Sequence, residues 1–301
     1  MPTPAAEFSG YAFTGARIDR ADPLRHDATA LAGLWPRARV LVLDHDGCAY
    51  CDDHGQWWPL RGDALGGGPG TAIFLGLLDD EPVFCVDAER VNASAPGRID
   101  LRRAAASWPA ELAQLFAYAR GMSYWQSRTR YCGVCGGQVE FARGGFVGHC
   151  ADCNTEHYPR VDPAVIAAVH HRGHLLLGRQ PGWAPRRYSV LAGFVEPGET
   201  LEQTVVREVH EEAKVRVLRA HYLGAQPWPF PGGLMLGFHA EAAFDTPQVD
   251  GELEDARWCS REEVGAALAR EHDDDGQGIL LPPPISIARS LIEYWYRHLS
   301  G

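Results

Sequence analysis

Six glutamates lie within the twenty residues GFVEPGETLEQTVVREVHEE, positions 193–212. Three of them, Glu208, Glu211 and Glu212, are spaced i, i+3 and i+4, so on a helix their carboxylates converge on one face. Like charges this close repel each other, and a hard divalent cation such as Mg²⁺, which prefers oxygen ligands, removes the conflict. The spacing therefore indicates a candidate metal site, and an ordinary solvated helix face is the alternative.

A helix must position these carboxylates, and the sequence predicts where it begins. Thr200 and Gln203 fit a capping box directly after the turn Pro197–Gly198. An apolar stripe at i, i+4 spacing then faces the core, formed by Leu201, Val205, Val209 and Ala213. Glu199 precedes the cap and is close enough in sequence to reach the metal site from the loop, whereas Glu196 and Glu202 are expected to be solvated.

Two CxxC pairs form a second candidate site. They are separated by fourteen residues and consist of Cys132, Cys135, Cys150 and Cys153. This spacing is typical of a tetrahedral zinc site, and because protein fills all four positions the zinc is expected to be structural. A rubredoxin-like iron site and redox dithiols are the alternatives. A further pair, Cys48 and Cys51, has no second pair nearby and is interpreted as plain thiols.

Composition restricts the class of protein. The chain has 301 residues, of which 46% are hydrophobic, and a formal net charge of -11. That charge disfavours broad, sequence-independent binding to nucleic acid. We find no apolar run of about 20 residues that would span a membrane and no signal-peptide pattern at the N-terminus, so we expect a cytoplasmic protein without membrane contact.

Apolar patterns place the main elements. ARVLVLDHDGCAY and TAIFLGLLDDEPVFCVDA predict strands within residues 1–103, and a connecting helix follows with Leu112, Leu115, Phe116 and Ala119 on one face. AVIAAVHHRGHLLLGRQ predicts a hairpin around Arg172–Gly173. The remainder mixes strands and helices as an α+β domain, and the acidic EHDDDGQG is interpreted as a solvated loop.

The glutamate pattern resembles the Nudix box of enzymes that hydrolyse nucleoside diphosphates linked to another group. The match runs from Gly193 through Glu199 to REVHEEAKV, residues 207–215. The resemblance implies that Glu208, Glu211 and Glu212 bind Mg²⁺ or Mn²⁺, that one of them acts as general base, and that Arg207 forms ion pairs. One departure is Lys214, where the box has glycine; a left-handed residue costs a non-glycine about 1–2 kcal/mol, so the loop that ends the helix is in question.

A second motif points to one branch of that family. AQPWPFPGGLM, residues 225–235, resembles the aromatic motif of the NADH pyrophosphatase branch, in which a four-cysteine zinc ribbon also precedes the Nudix domain. HYPRVDP and LLPPPISIARSLIEYW are further matches, and the likeness covers about residues 118–301. Two serines of the motif are replaced here by Ala225 and Gly233.

The resemblance implies an α+β fold, in which a Nudix α/β/α sandwich follows a zinc ribbon and an N-terminal α/β domain. The expected boundaries are 1–126 for the N-terminal domain with its connecting helix, 127–160 for the ribbon and 161–301 for the Nudix domain. The implied substrate residues are Phe194 and Trp228 beside the nicotinamide ring, with Trp228 contributed by the second copy of a homodimer, together with Tyr158 and a backbone contact at Ala288. Glu241 is expected as a fourth carboxylate at the metal. Taken from the residues alone, Tyr158 also fits a core position, Ala288 fits helix packing and Glu241 fits a strand surface.

The implied reaction is hydrolysis of the pyrophosphate of NADH or NAD to AMP and the nicotinamide mononucleotide. Removal of NAD caps from RNA 5′ ends is the same chemistry on a polymer. Two alternatives stay open: another Nudix substrate such as ADP-ribose or a dinucleoside polyphosphate, and a non-catalytic module that senses NAD.

Overall fold

The computed structural model describes residues 8–15, 18–270 and 276–299. The chain forms two compact units. The N-terminal unit comprises Phe13–Val161 and Pro227–Gly232, and the C-terminal unit comprises Met1–Ala12, Asp162–Gln226 and Gly233–Gly301. Most of the acidic stretch predicted as a solvated loop, residues 271–275, lies outside the described residues.

The N-terminal unit begins with a seven-stranded sheet in the order β1-β5-β6-β2-β3-β7, with β4 also paired to β2. Its strands are β1 Ile18–Asp19, β2 Arg39–Leu43, β3 Ala49–Cys51, β4 Leu60–Arg61, β5 Ile73–Leu78, β6 Glu81–Asp87 and β7 Gly97–Ile99. Its helices are α1 Asp22–Arg25, α2 Ala28–Leu34, α3 Gly62–Leu65, α4 Leu101–Ser107 and α5 Ala110–Arg128. The two apolar stretches predicted as strands are confirmed as β2, β3, β5 and β6.

Helix α5 is the predicted connecting helix. Leu115, Phe116 and Ala119 are buried in it, as the spacing of apolar residues required. A three-stranded sheet follows in the order β10-β9-β8, from β8 Val139–Ala142, β9 Val147–Cys150 and β10 Glu156–His157. This small sheet carries the second CxxC pair at the end of β9.

The C-terminal unit is built on a six-stranded sheet in the order β14-β15-β11-β12-β16, with β13 paired to β11. Its strands are β11 Asp162–His171, β12 His174–Arg179, β13 Leu191–Phe194, β14 Val217–Trp228, β15 Gly233–Ala242 and β16 Asp255–Ser260. Its helices are α6 Leu201–Ala213, α7 Arg261–Ala269 and α8 Ile287–His298. The predicted hairpin is confirmed as β11 and β12, with both Arg172 and Gly173 at positive φ.

Alternation along β11 assigns a helix layer to each face of this sheet. Val165, Ala167 and Val169 pack in one core with Val205 and Val209 of α6. Ile166 and Ala168 pack in the other core with side chains of α7 and α8. The unit is therefore the expected α/β/α sandwich, with α6 on one face of the sheet and α7 and α8 on the other.

No helix within the described residues is long and apolar enough to cross a membrane.

Candidate active site

Helix α6 begins as predicted. The backbone N–H of Gln203 donates to Thr200 Oγ1 at 3.3 Å, and the backbone N–H of Thr200 donates to Gln203 Oε1 at 2.8 Å, which completes the capping box. Val205, Val209 and Ala213 are buried. The helix is thus fixed at its start and along its apolar stripe, which sets the direction of its glutamates.

Lys214 takes the left-handed conformation that glycine supplies in the family motif, with φ 55° and ψ 22°. Its backbone N–H donates to His210 O at 2.9 Å, and its ammonium contacts Glu211 O at 3.1 Å and Asp250 Oδ2 at 3.0 Å. The departure from glycine therefore leaves the helix end in place, because these contacts offset a conformational cost of about 1–2 kcal/mol.

Arg207 links the box into one network. Its guanidinium donates to both carboxylate oxygens of Glu199, at 2.6 and 2.9 Å, to Glu211 Oε2 at 2.9 Å and to Phe194 O at 2.9 Å. The hydrogen bonds from Arg207 lower the pKa of Glu199 to about 2. The ion-pairing role predicted for Arg207 is confirmed, and Glu199 supports the site by holding Arg207.

Glu208 lies against strand β13 at Gly193. A Cβ atom at residue 193 would overlap the Glu208 carboxylate, which would then have to move from this position. Burial raises the pKa of Glu208, against the opposing effect of Arg207, whose Nη1 lies 2.9 Å from Glu208 Oε1. The first glycine of the box thus lets the Glu208 carboxylate approach the backbone of β13 closely.

Glu212 is the most buried of the three helical carboxylates, with 2% of the residue exposed. Burial, and then the charges of Glu208 and Glu252, raise its pKa to about 8. Its Oε2 atom is buried without a hydrogen-bond partner among the described residues. A buried carboxylate oxygen without a donor, within the electrostatic reach of two further carboxylates, fits the oxygen ligand set of Mg²⁺ or Mn²⁺.

A further carboxylate, that of Glu252, acts electrostatically on the α6 glutamates, and sequence reasoning missed it. Its charge acts on both Glu208 and Glu212. Two contacts tie the preceding segment to the end of α6: Gln248 N–H donates to Ala213 O at 2.9 Å, and Asp250 binds Lys214. Thirty-nine residues separate Glu212 from Glu252 in the sequence, so no local spacing signals their interaction.

Glu241, the predicted fourth carboxylate, does not lie with the others. In the register of the sheet, Gly193 pairs with Val165 and Glu241 pairs with His170. Five residues of β11 separate these rows, which is about 16 Å along a strand. The register therefore separates Glu241 from the Glu208 carboxylate at Gly193, and the charge of Glu241 acts on His170.

Two predicted substrate residues lie in the same unit. Phe194 ends β13 with 64% of the residue exposed, while its carbonyl oxygen accepts from Arg207. Ala288 is buried at the start of α8, and its N–H donates to Ser286 Oγ at 3.2 Å. Phe194 thus offers an open aromatic face on a fixed backbone, whereas the N–H of Ala288 already has a partner.

Trp228 belongs to the N-terminal unit. Its ring lies 4.9 Å from the Phe230 ring and 6.3 Å from that of the buried Phe13. The Arg102 guanidinium lies over Phe230 at 3.9 Å, with Arg120 at 5.2 Å. The aromatic motif is therefore positioned by residues of the N-terminal region.

Tyr158 is in the same unit, with 54% of the residue exposed and its hydroxyl bonded to Glu156. It lines a cavity of about 530 Å³ together with Trp125, Thr129 and Arg160. The alternative of a core tyrosine is therefore wrong, and a role as a pocket wall stays a prediction.

The four predicted zinc ligands meet at one point. All of their sulfur atoms lie within 4.8 Å of one another: Cys132, Cys135, Cys150 and Cys153. The backbone N–H of Val134 donates to Cys132 Sγ at 3.4 Å and that of Gly137 to Cys135 Sγ at 3.5 Å. Four converging sulfurs with N–H donors suit thiolates around a tetrahedral ion, so the residues fit structural zinc.

Three family models match the chain. They are the NADH pyrophosphatase-like rudimentary NUDIX domain at residues 37–125, the NADH pyrophosphatase zinc ribbon domain at 127–158 and the NUDIX domain at 160–280. The NAD-capped RNA hydrolase NudC of Mycobacterium bovis is 36% identical over 291 residues, which is 92% of each chain. The chain belongs to the Nudix hydrolase family, in its NADH pyrophosphatase branch.

Other relatives of this Nudix hydrolase include the NAD-capped RNA hydrolase NudC of Stutzerimonas stutzeri, 41% identical over 75% of this chain and 78% of that protein. Among solved structures, a NUDIX hydrolase from Nitrosomonas europaea is 27% identical, with a TM-score of 0.39, over 44% of this chain and 78% of that one. Membership in the family implies a hydrolase that uses a divalent cation, and the ribbon implies structural zinc.

Proposed function

We propose that this chain hydrolyses the pyrophosphate of NAD(H) to AMP and the nicotinamide mononucleotide, and that it removes NAD caps from RNA 5′ ends. The observation that carries the proposal is the buried carboxylate of Glu212, on which the charges of Glu208 and Glu252 act and whose Oε2 has no partner among the described residues. The similarity to relatives named NAD-capped RNA hydrolase selects the substrate class.

We assign Glu208, Glu211, Glu212 and Glu252 as ligands of Mg²⁺ or Mn²⁺. Cations bound there would neutralise the diphosphate and lower the pKa of a water molecule. One of these carboxylates accepts the proton of the attacking water. Arg207 fixes the backbone of Phe194 and one oxygen of Glu211, so it keeps the aromatic residue and the metal ligand in one arrangement. Glu252 replaces Glu241 in this assignment because of the sheet register.

For the substrate we propose that Phe194 stacks on the nicotinamide ring. Its exposed face suits a flat ring, which is positively charged in the oxidised cofactor. Trp228 is proposed as the second stacking residue, with Tyr158 as a further wall and Ala288 as a backbone contact. These three assignments rest on the resemblance of their sequence motifs.

We propose a homodimer that contributes Trp228 from its second copy, which size-exclusion chromatography with light scattering would test. A cytoplasmic location is proposed because four of the eight cysteines suit a zinc site and the other four are unbridged, as in a reducing compartment. We also propose that the N-terminal domain ends at residue 126, that the zinc ribbon covers residues 127–160 and that the Nudix domain begins at residue 161.

The test is a chromatographic assay of the zinc-loaded protein with Mn²⁺ on three substrates: NADH, an NAD-capped RNA and ADP-ribose. We expect AMP and reduced mononucleotide from NADH, and 5′-monophosphate RNA from the capped RNA, with both reactions lost in Glu211→Gln. Turnover of ADP-ribose alone would contradict the NAD(H) assignment. Binding of NADH without turnover of any substrate would favour the sensing module.

A further inference from the structure

Lys214 is the only lysine in a chain that has 27 arginines. It stands at the end of α6, where the Nudix box has glycine, with φ 55° and ψ 22°. This left-handed conformation favours glycine and disfavours any residue with a side chain. The side chain of Lys214 therefore brings contacts to this position that the residue best suited to the backbone could not make.

The ammonium of Lys214 joins the last turn of α6 to the segment that follows β15. Its Nζ donates to Glu211 O at 3.1 Å and to Asp250 Oδ2 at 3.0 Å. Both side chains of this ion pair are more than a third exposed. Because an exposed ion pair contributes little to the stability of a whole domain, the contact is better suited to holding a local arrangement than to holding the fold.

Other contacts hold the same two segments together, closer to β15. Ala243 N–H donates to Arg216 O at 2.9 Å, and the Arg216 guanidinium pairs with Asp245 at 2.9 Å. Gln248 N–H donates to Ala213 O at 2.9 Å. The ammonium contact comes next along the chain, two residues before the proposed metal ligand of this segment.

Glu252 lies between two anchored residues. Asp250 is bound by Lys214, and Leu253 is buried in the core that also contains Val209 of α6. Glu252 itself is exposed, so packing around its own side chain does not fix its position. Its charge acts on two carboxylates of α6. The direction in which this segment presents its carboxylate therefore depends on the anchors on either side.

We propose that Lys214 is a positioning residue for the candidate metal site. Its contact with Asp250 holds the segment at the end of α6, so that the Glu252 carboxylate is in place when Mg²⁺ or Mn²⁺ binds to the helix. The inference rests on the proposed function, because it concerns the metal site assigned there. A ligand that is ordered in advance binds more tightly, since less freedom is lost on binding.

Lys214→Gly is the direct test, because glycine suits the left-handed backbone and removes only the side chain. An exposed ion pair changes a local equilibrium severalfold rather than by orders of magnitude, so we expect the Kd for Mn²⁺ to rise about fivefold. Electron paramagnetic resonance of the zinc-loaded protein would measure it. The kcat for NADH should fall by a similar factor with little change in KM, and the unfolding temperature should not fall, because glycine relieves the backbone strain.

The sign of the change in Kd separates positioning from a simple effect of charge. A positive charge close to a cation site opposes binding, so its removal by itself would lower the Kd for Mn²⁺. The loss of a positioning contact raises the Kd. Lys214→Arg, which keeps the charge and can reach the same carboxylate, should recover part of the affinity lost in Lys214→Gly.

Asp250→Asn tests whether Lys214 acts through this partner. It should raise the Kd for Mn²⁺ by a similar factor, and adding it to Lys214→Gly should change the Kd little further, because the two substitutions remove the same contact. Arg219→Ala removes an exposed arginine of β14 and is the control, which should leave the Kd unchanged.

Three results would overturn the proposal: a lower or unchanged Kd in Lys214→Gly, full additivity of the two substitutions, or a fall in unfolding temperature without a change in Kd. The last result would show that Lys214 only stabilises the fold. NADH turnover by the wild type reports on the proposed function separately. If the wild type does not turn over NADH, the proposed function fails, and the Kd for Mn²⁺ still decides the role of Lys214.

Discussion

The cysteine site and the carboxylate site are both metal centres by their chemistry, yet they are assembled in different ways. The four sulfurs lie within 4.8 Å of one another and come from two short turns of one small sheet. The carboxylates come from α6 and from a segment forty residues later, and one of their oxygens is buried without a partner among the described residues. The first arrangement is closed and suits a structural ion, whereas the second keeps ligand capacity for a reaction.

The two sites also differ in how charge is balanced before a cation binds. At the carboxylates, Arg207 pairs with Glu199 and contacts Glu208 and Glu211. Burial, and then the charges of Glu208 and Glu252, raise the pKa of Glu212. Substitutions of the carboxylates should therefore lower turnover more than stability. Substitutions of the zinc-ribbon cysteines should lower stability more than turnover.

The largest expected effect is on Glu212. Glu212→Gln should lower kcat for NADH roughly a thousandfold, because it removes a metal ligand that also stabilises charge in the transition state. The unfolding temperature should not fall, since an amide avoids the cost of the buried charge. Glu202→Gln, on an exposed part of the same helix, is the control and should keep full activity. Retention of more than a tenth of the turnover by Glu212→Gln would contradict its assignment.

At the ribbon, Cys150→Ser should abolish zinc binding and unfold residues 131–157. Cys150 is fully buried, and a structural zinc site supplies the folding free energy of so small a module. Atomic absorption would measure the loss of zinc, and limited proteolysis would measure the unfolding of the ribbon. Cys48→Ser should leave both readings unchanged, and a zinc-replete Cys150→Ser protein would disprove the four-cysteine site.

The ion pair of Glu199 with Arg207 predicts a smaller, pH-dependent effect. The pKa of Glu199 is lowered to about 2 in the folded protein, from 4.5. Its contribution to stability is therefore complete above pH 4.5 and is lost as the pH falls towards 2. Glu199→Gln should be less stable than the wild type at pH 7, and the difference should shrink below pH 4.5 in urea unfolding. A difference that is constant with pH would show that the pair is not responsible.

The smallest effect is expected for Arg102, which lies over Phe230 in the N-terminal unit. Arg102→Ala should raise KM for NADH about threefold with little change in kcat, because an exposed cation–π contact contributes about 0.5–1 kcal/mol to the position of the aromatic segment. Arg102→Lys should restore part of the loss, and the exposed Arg103→Ala is the control. An equal change in kcat would indicate a role beyond positioning.

The sequence predicts the structure correctly wherever the contacts are between residues close together in the chain. Helix α6, its capping box, the β11–β12 hairpin and the cysteine cluster each depend on spacings of a few residues, and each was predicted. Glu252 could not be predicted, because its approach to Glu212 depends on how the chain after β15 returns to the end of α6. Glu241 is expected at the metal only through the family resemblance, and the register shows that its row lies about 16 Å along the strand from that of Gly193, against which Glu208 lies.

The most direct measurement compares Glu252→Gln with Glu241→Gln. Turnover of NADH and the Kd for Mn²⁺, by electron paramagnetic resonance, would be determined for both variants beside the wild type. We expect Glu252→Gln to lose about a hundredfold in kcat and to bind Mn²⁺ more weakly, and Glu241→Gln to match the wild type. Full activity of Glu252→Gln with loss in Glu241→Gln would contradict the carboxylate cluster described for this enzyme.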